Sequence, residues 1–326
     1  MTDDTTSRVV VAHERRLAAL DPLLRRTHPF PDPEQEDVVL TTSDGLALLR
    51  RHQPDPESLQ ATWGAAVQHR LSVRVADHDP AGALDALLTQ CRQRVLPQAG
   101  HDHDAELNLI WPSRDTLLTR PLLTHGLVPS TTVAARPAGR LMPRRTADVR
   151  VRPLEPGDID AATALWLEEV RWATQFGTAT VRPSTASAIR RELIEVLTHH
   201  RQWAWVAEDE ARVHGLLVLQ PPERARWIAR LVSRSPVAYL SCLVVAASRR
   251  GDGVGAALVQ RAHDALDAAG VEVTLLHYAA FNPLSAPFWH QCGYRPLWTV
   301  WHARPVTRLG QLVMSARTRA DITVMR

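Results

Sequence analysis

The sequence contains few cysteines, no long apolar run and no block of like charges. Its three cysteines are odd in number and lack the spacing of a metal site, which favours a reducing compartment. No segment approaches the ~18 consecutive apolar residues typical of a membrane span. The polar, acidic start "MTDDTTSRVV" lacks the basic and apolar regions of a signal peptide. We therefore expect a soluble, cytoplasmic protein without a membrane partner.

The charge balance is mildly basic, with a net charge of +3 over 326 residues. Because no five like charges follow one another, the sequence favours an anionic small ligand and argues against a nucleic-acid partner. The hydrophobic share of 45% is ordinary for a globular protein, and the length suits two domains of about 150 residues each. The sequence carries no signal for an oligomeric state.

A proline- and arginine-rich segment, Arg136–Pro153, separates two regions of alternating strand and helix patterns and is typical of a linker. We predict one domain at 1–140, a second at 148–305, and a C-terminal extension at 306–326. Glu106–Pro137 and Glu272–Pro305 share one pattern, and both end in Ala-Arg-Pro. This internal repeat favours a duplication over a chance resemblance of two α/β segments.

A strand pattern ending at Leu243-Val244-Val245 is followed by a turn, Arg250 to Gly255, and then by a helix from Ala256 to Ala269. The first turn of a helix leaves N–H groups unpaired, and these groups and the helix dipole attract anions. Glycines let the backbone approach a phosphate, and Arg250 adds a charged donor. No Gly-Lys-Ser/Thr loop is present, and the glycine spacing differs from a dinucleotide fingerprint. The turn therefore predicts a pyrophosphate site.

The pattern Arg250-x-x-Gly253-x-Gly255 after Leu243-x-Val245 resembles the acetyl-CoA loop of GCN5-related N-acetyltransferases, the GNAT superfamily. A second stretch matches at the family's spacing: Asn282, Ser285, Phe288-Trp289 and Gly293-Tyr294. The resemblance implies a tandem α/β fold with a mixed, mostly antiparallel sheet flanked by helices in each half. It also implies cofactor contacts from Leu243, Val244, Val245, Arg250, Gly251, Asp252, Gly253, Val254, Gly255, Asn282, Ser285, Phe288 and Trp289.

The chain departs from the family at the expected acid and base. Trp289 stands where the family often has a tyrosine acid, and indole is no acid at pH 7. Where members often carry a carboxylate or histidine base, this chain has Tyr239 and Ser241, which we expect on the face of Leu243. Catalytic candidates are thus Tyr239 and Ser241, with pocket lining as the alternative role, and His277, with a structural histidine as the alternative. Substrate-binding candidates are Glu168, Glu169 and Trp172, although carboxylates on a helix are mostly solvated. Trp166, Trp172 and Phe176 either line an acceptor pocket or pack in the core.

The first half lacks the glycine turn and carries Asp77 to Ala81, "DHDPA", between its strand and helix. Aspartates repel a pyrophosphate and proline removes a donor, so we predict a degenerate GNAT-like half without an intact CoA loop. The segment His101–Asp104, "HDHD", is expected to be a solvated loop, and no metal site is predicted.

These features predict an acetyl-CoA-dependent N-acetyltransferase. Another short acyl-CoA could replace acetyl-CoA as co-substrate, and the acceptor would be a primary amine of a small molecule or peptide that attacks the thioester directly. One alternative is a non-catalytic acyl-CoA sensor or partner-binding pseudoenzyme, which the replacement of tyrosine by Trp289 favours. Another is tRNA-dependent aminoacyl transfer, which the glycine turn and the lack of a basic stripe disfavour.

Overall fold

The computed structural model describes residues 2–24, 30–99, 104–140, 147–210 and 212–310. The strands in chain order are β1 (Val38–Thr41), β2 (Gly45–His52), β3 (Val67–Val75), β4 (Ala105–Pro112), β5 (Val128–Pro137), β6 (Arg150–Pro153), β7 (Ala204–Glu208), β8 (Val213–Gln220), β9 (Val237–Val245), β10 (Val273–Ala279) and β11 (Arg295–Ala303). The helices are α1 (Thr2–Leu20), α2 (Pro80–Ala99), α3 (Thr119–Thr124), α4 (Ile159–Thr174), α5 (Thr185–His199), α6 (Arg226–Ala229), α7 (Val254–Ala268) and α8 (Ser285–Gln291). Within the described residues, no helix is both long and apolar enough to cross a membrane.

The chain forms two compact units, and each is built from residues of both halves of the sequence. The first unit comprises Met1–Pro54, Gly64–Ser130 and Leu297–Arg326, and the second comprises Asp55–Trp63 and Thr131–Pro296. The units therefore cross the sequential boundaries that we predicted at 1–140 and 148–305.

The two units share one topology over five strands, and the second unit has β6 as an additional edge strand beside β7. In the first unit the strand order is β1-β2-β3-β4-β11, and in the second it is β6-β7-β8-β9-β10-β5. The neighbours β3 and β4 are parallel, as are β9 and β10, and the other pairs within each unit are antiparallel. This arrangement confirms a mixed, mostly antiparallel sheet, and the repeated order confirms the tandem character that the internal repeat predicts.

The last strand of each repeat lies in the other unit. Strand β11 pairs with β4 in the first unit, from Trp298 against Pro112 to Ala303 against Leu107. Strand β5 pairs with β10 in the second unit, from Val273 against Pro137 to Ala279 against Thr131. Arg136 and Pro137 thus belong to a strand, although we predicted them to begin the linker. Since both strands close the same repeat pattern, each fits the position that the other would occupy.

The extension after residue 305 begins in the core of the first unit. Val306 and Leu309 are buried there, while residues 311–326 lie outside the described residues. Of the predicted solvated loop at His101–Asp104, only Asp104 is described, and it forms an ion pair with Arg304 at 2.6 Å. The described residues contain no cluster of three or more side chains suited to a metal.

The second unit has an apolar core on each face of its sheet. One core contains Leu258 and Val259 of helix α7, and the other contains Trp166 of α4 and Leu193 of α5. Trp166 is 1% exposed, so of its two predicted roles the structure shows core packing. The sheet therefore separates α7 from α4 and α5, and the candidate site has contributions from both faces.

Candidate functional site

Strands β9 and β10 separate in the middle of the sheet of the second unit. Their parallel pairing ends at Leu240 opposite Leu276, although β9 continues to Val245 and β10 to Ala279. Where two strands diverge, their backbone donors and acceptors become available to other partners. The cleft between the strands is the centre of the candidate site.

The glycine turn lies at the end of β9, where helix α7 begins. Gly253 is the N-cap of this 15-residue helix, with φ of 85° and no side-chain cap, and Gly251 has φ of 94°. Both positions have left-handed backbone that side chains disfavour. Helix α7 begins at Val254, two residues before the predicted start. An uncapped start of a long helix presents N–H groups and the positive end of its dipole, which suits a phosphate.

Phe288 and Trp289 of helix α8 have different surroundings. A side chain at Gly255 would approach Phe288 Cζ to 3.4 Å and Val245 Cγ2 to 3.5 Å, so Phe288 borders the glycine turn. Trp289 is 7% exposed and makes an edge contact with Tyr294, with ring centres 5.3 Å apart. Trp289 is therefore a core residue.

Asn282, Ser285 and Asp252, which we predicted to contact the cofactor, make hydrogen bonds or ion pairs within the turns near the cleft. The Asn282 side-chain oxygen accepts a hydrogen bond from the Leu284 N–H at 3.1 Å, and the Ser285 N–H donates to the Asn282 carbonyl at 3.2 Å. Asp252 pairs with Arg249 at 3.0 Å. The side chains of Asn282 and Asp252 thus stabilise local turns, and Ser285 begins α8.

A β-bulge changes the face on which Tyr239 lies. Val218 of β8 is opposite Cys242 and Leu219 is opposite Leu240, so Ser241 is an extra residue. Its hydroxyl donates to the Val218 carbonyl at 3.0 Å.

The predicted common face of Tyr239, Ser241 and Leu243 is therefore wrong. Leu243 packs with the α7 core, whereas Cys242 and Val244 pack with the α4–α5 core. Leu240 belongs to the α7 core, so its neighbour Tyr239 points to the α4 side. A one-residue shift in strand register exchanges the two faces.

Tyr239, His277 and Trp227 form a ring cluster on the α4 side of the sheet. The Tyr239 hydroxyl is 3.1 Å from His277 Nδ1. Trp227 of α6 lies parallel to His277, with 9° between the ring planes, and edge-on to Tyr239 at 5.0 Å between ring centres. Burial lowers the pKa of His277 to about 4, so the imidazole is neutral at pH 7. Burial, and then the charge of Glu169, raises the pKa of Tyr239.

Glu168 and Glu169 of helix α4 serve different parts of the site. Glu169 is partly buried, and burial raises its pKa to about 8. Its carboxylate is close enough to raise the pKa of Tyr239 and of Cys242. Glu168 instead pairs with Arg250 at 3.5 Å. Helix α4 therefore reaches both the ring cluster and the glycine turn.

Arg250 lies against helix α4. Its guanidinium carbon is 5.2 Å from the ring centre of Trp172, and its Nε donates to the Val245 carbonyl at 3.2 Å. Phe176 contacts Trp172 edge-on, with ring centres 5.5 Å apart. The predicted substrate residue Trp172 thus contacts the arginine predicted to bind the cofactor.

Sequence reasoning missed Trp227 and Cys242. Trp227 lies in a four-residue helix within a stretch that has neither a motif nor a periodic pattern. Cys242 was only one of three cysteines without metal spacing, and its proximity to Glu169 arises from the packing of β9 against α4, which has no sequence signal.

The first unit has a different helix start at the equivalent position. Helix α2 begins at Pro80, and Asp79 Oδ1 accepts a hydrogen bond from the Gly82 N–H at 2.9 Å. A carboxylate thus occupies the helix end that would otherwise attract an anion.

Known proteins provide an independent comparison. Residues 166–294 match the model of the acetyltransferase (GNAT) family. A GCN5-related N-acetyltransferase from Sphaerobacter thermophilus is 15% identical over 92% of this chain and 91% of its own, with a TM-score of 0.59, which supports the fold. A tandem GNAT protein from the clavulanic acid biosynthesis pathway is 16% identical over 93% and 95%, with a TM-score of 0.47. No curated protein sequence is significantly similar to this chain.

Proposed function

We propose that this tandem GNAT-type protein, whose residues 166–294 match the GNAT acetyltransferase family, transfers an acetyl group from acetyl-CoA to a primary amine of a small molecule or peptide. The observation that carries the proposal is the uncapped start of helix α7 at Gly253, beside the point where β9 and β10 separate. A helix start that suits an anion thus lies next to an open strand edge.

The residues around the glycine turn fit a CoA thioester. The N–H groups from Gly251 to Gly255 and the Arg250 side chain would hold the pyrophosphate, and the edge of β9 at Leu243 and Val245 would hold the pantetheine arm. Phe288 would border this arm from α8. Acetyl-CoA, or another short acyl-CoA, would supply an acyl group activated as a thioester.

The other face of the sheet suits an amine. Glu169 can pair with an ammonium group and accept its proton, and a pKa of about 8 is close to the pH at which it would act. The Tyr239–His277 pair can orient the neutral amine by hydrogen bonds. We assign no proton transfer to Ser241, because its hydroxyl donates its hydrogen bond to the Val218 carbonyl.

The reaction forms a bond between the amine nitrogen and the acetyl carbon and breaks the bond from that carbon to sulfur. Glu169 takes the proton of the ammonium group before the attack, the attacking nitrogen then loses a second proton to water, and the sulfur gains one. Trp289 lies in the core and cannot donate that proton, so we assign it to water. Holding both reactants in one cleft lowers the activation free energy by up to roughly 7–11 kcal/mol. A hydrogen bond from the Val245 N–H to the carbonyl oxygen lowers it by about 3 kcal/mol more.

The test compares two glycine variants in calorimetric titrations with acetyl-CoA and in an assay of CoA release with a panel of primary amines. Gly253→Asp places a side chain and a negative charge at the helix start. Gly270→Asp is the matched control, because Gly270 also has positive φ but lies just beyond the C-terminal end of α7. We expect wild type and the control to bind one acetyl-CoA, and Gly253→Asp to lose binding. Equal affinities of the two variants would refute the assigned site.

A second candidate is an acyl-CoA sensor that binds without turnover. The core position of Trp289 favours it, because the usual acid is absent from the cleft. Tight binding of acetyl-CoA without CoA release, for every amine tested between pH 7 and 9, would support the sensor over the transferase.

A further inference from the structure

Trp227 is an exposed aromatic residue whose position is fixed. The side chain is 50% exposed. Its indole N–H donates to the Gln220 side chain at 3.0 Å, and its ring contacts both His277 and Tyr239. Contacts with residues of three strands, β8, β9 and β10, thus hold an indole that still exposes half of its surface.

The surroundings of Trp227 differ from those of an ordinary surface tryptophan. Solitary exposed apolar residues are common on proteins. Trp227, however, packs against the two rings that lie where β9 and β10 separate, on the face where Glu169 is partly buried. An exposed indole next to the Tyr239–His277 pair, with the carboxyl group of Glu169 near enough to act on Tyr239, matches a ligand with a ring at one end and an ammonium group at the other.

The ring of Trp227 lies within stacking distance of the rings of Tyr239 and His277. The ring centre of Trp227 is 5.0 Å from that of Tyr239 and 6.2 Å from that of His277. Aromatic rings stack with their centres roughly 4.5–7 Å apart. Because Trp227 lies this close to Tyr239 and His277, an amine held by that pair has an aromatic surface within reach of a short arm.

We propose that Trp227 is a stacking platform for the acceptor, and that the acceptor is an arylalkylamine with a short arm between ring and nitrogen. This inference rests on the proposed transferase function. Trp227 would bind the ring of the acceptor. Glu169 would pair with its ammonium group and take a proton, and the Tyr239–His277 pair would then orient the neutral nitrogen.

The test measures kcat and KM for phenethylamine and for butylamine, which has no ring. The variants are Trp227→Ala, Trp227→Phe and the control Trp63→Ala, since Trp63 is also exposed, at 37%, but lies in a different segment of the same unit. We expect wild type to prefer phenethylamine at least tenfold in kcat/KM. Trp227→Ala should raise the KM for phenethylamine about tenfold more than the KM for butylamine, with the KM for acetyl-CoA unchanged. Trp227→Phe should restore most of the preference, and Trp63→Ala should resemble wild type.

The outcomes separate this inference from the proposed function. Turnover of butylamine as efficient as that of phenethylamine, or equal losses for both amines in Trp227→Ala, would refute the platform and leave the transferase intact. Calorimetry with phenethylamine in the presence of CoA covers the opposite case. Binding that is lost in Trp227→Ala, without turnover in wild type, would support the platform and refute the transferase. Absence of both binding and turnover of phenethylamine would refute the platform.

Discussion

Replacement of Glu169 by Gln should stabilise the protein, and the gain should grow with pH. The pKa of Glu169 is raised from 4.5 to about 8 because burial disfavours the carboxylate. Between these values the unfolded chain has lost the proton that the folded protein keeps, so stability falls as pH rises. Glutamine retains the shape of the side chain and removes the charge, so the variant should lack this loss.

The size of the effect follows from the two pKa values. The two pKa values differ by 8 minus 4.5. Because each pKa unit corresponds to about 1.4 kcal/mol, the loss of folding free energy is at most about 5 kcal/mol. Because the side chain is only partly buried, solvent screens part of the penalty. We expect Glu169→Gln to be about 1–2 kcal/mol more stable than wild type at pH 8.5, and nearly equal to it at pH 5.

Urea unfolding at pH 5 and pH 8.5 measures this difference. The matched control is Glu168→Gln, because Glu168 is the next residue on α4 and its side chain is 42% exposed. Its stability relative to wild type should not change between the two pH values. A Glu169→Gln variant that is less stable than wild type at pH 8.5, or whose gain does not depend on pH, would refute the assigned burial of this carboxylate. The same variant should also lose acetyl transfer at least tenfold, as expected for a proton acceptor.

Three further predictions concern the neighbours of Glu169. Glu168→Gln releases Arg250 from its ion pair, so acetyl-CoA should bind about threefold more tightly in calorimetry, and weaker binding would show that the pair helps to form the site. Tyr239→Phe removes the hydrogen bond to His277 and should lower kcat about tenfold without changing the KM for acetyl-CoA, and an unchanged kcat in steady-state assays would remove Tyr239 from the mechanism. The pKa of His277 is lowered from 6.5 to about 4, so its contribution to stability is lost as pH falls through this range. His277→Gln should flatten the fall in urea midpoint between pH 6.5 and 4, and an unchanged slope would contradict its burial.

The glycine turn could be predicted because its geometry limits the residues that fit. Gly251 and Gly253 occupy left-handed backbone, and few other residues do so without strain. A strand before them and a helix after them then determine where the N–H groups point. This part of the site depends on residues that are adjacent in the sequence, so its geometry could be predicted from the sequence.

The acceptor side could not be predicted in the same way. The face of Tyr239 depends on one extra residue in β9, and that residue is defined only by its pairing with Val218 and Leu219 of β8. A bulge of this kind is defined by the partner strand, so the alternation along β9 alone does not reveal it. The alternation that predicts a common face for Tyr239 and Leu243 holds only in the absence of the bulge.

The exchange of β5 and β11 was hidden for a related reason. A duplicated chain has two similar final strands, so hydrophobic pattern and length cannot tell which sheet each one joins. The linker at Arg136–Pro153 indicated a boundary between the halves, although Arg136 and Pro137 belong to a strand of the second unit. Repeats therefore reveal the topology of each unit while leaving the connection between equivalent strands undefined.

Two adjacent glutamates on helix α4 face the proposed cofactor side and the proposed acceptor side of the site. Neighbouring residues on a helix point in different directions, so Glu168 faces Arg250 at the glycine turn while Glu169 faces Tyr239. A pyrophosphate at the turn would compete with Glu168 for the Arg250 side chain, and the same helix presents the carboxylate that is proposed to take the amine proton. Occupancy of the turn can therefore affect the acceptor side through α4 alone.

If so, the KM for the amine should depend on Glu168, even though Glu168 does not contact the amine. Glu168→Gln should shift that KM, whereas Asp160→Asn, an exposed substitution elsewhere on α4, should not.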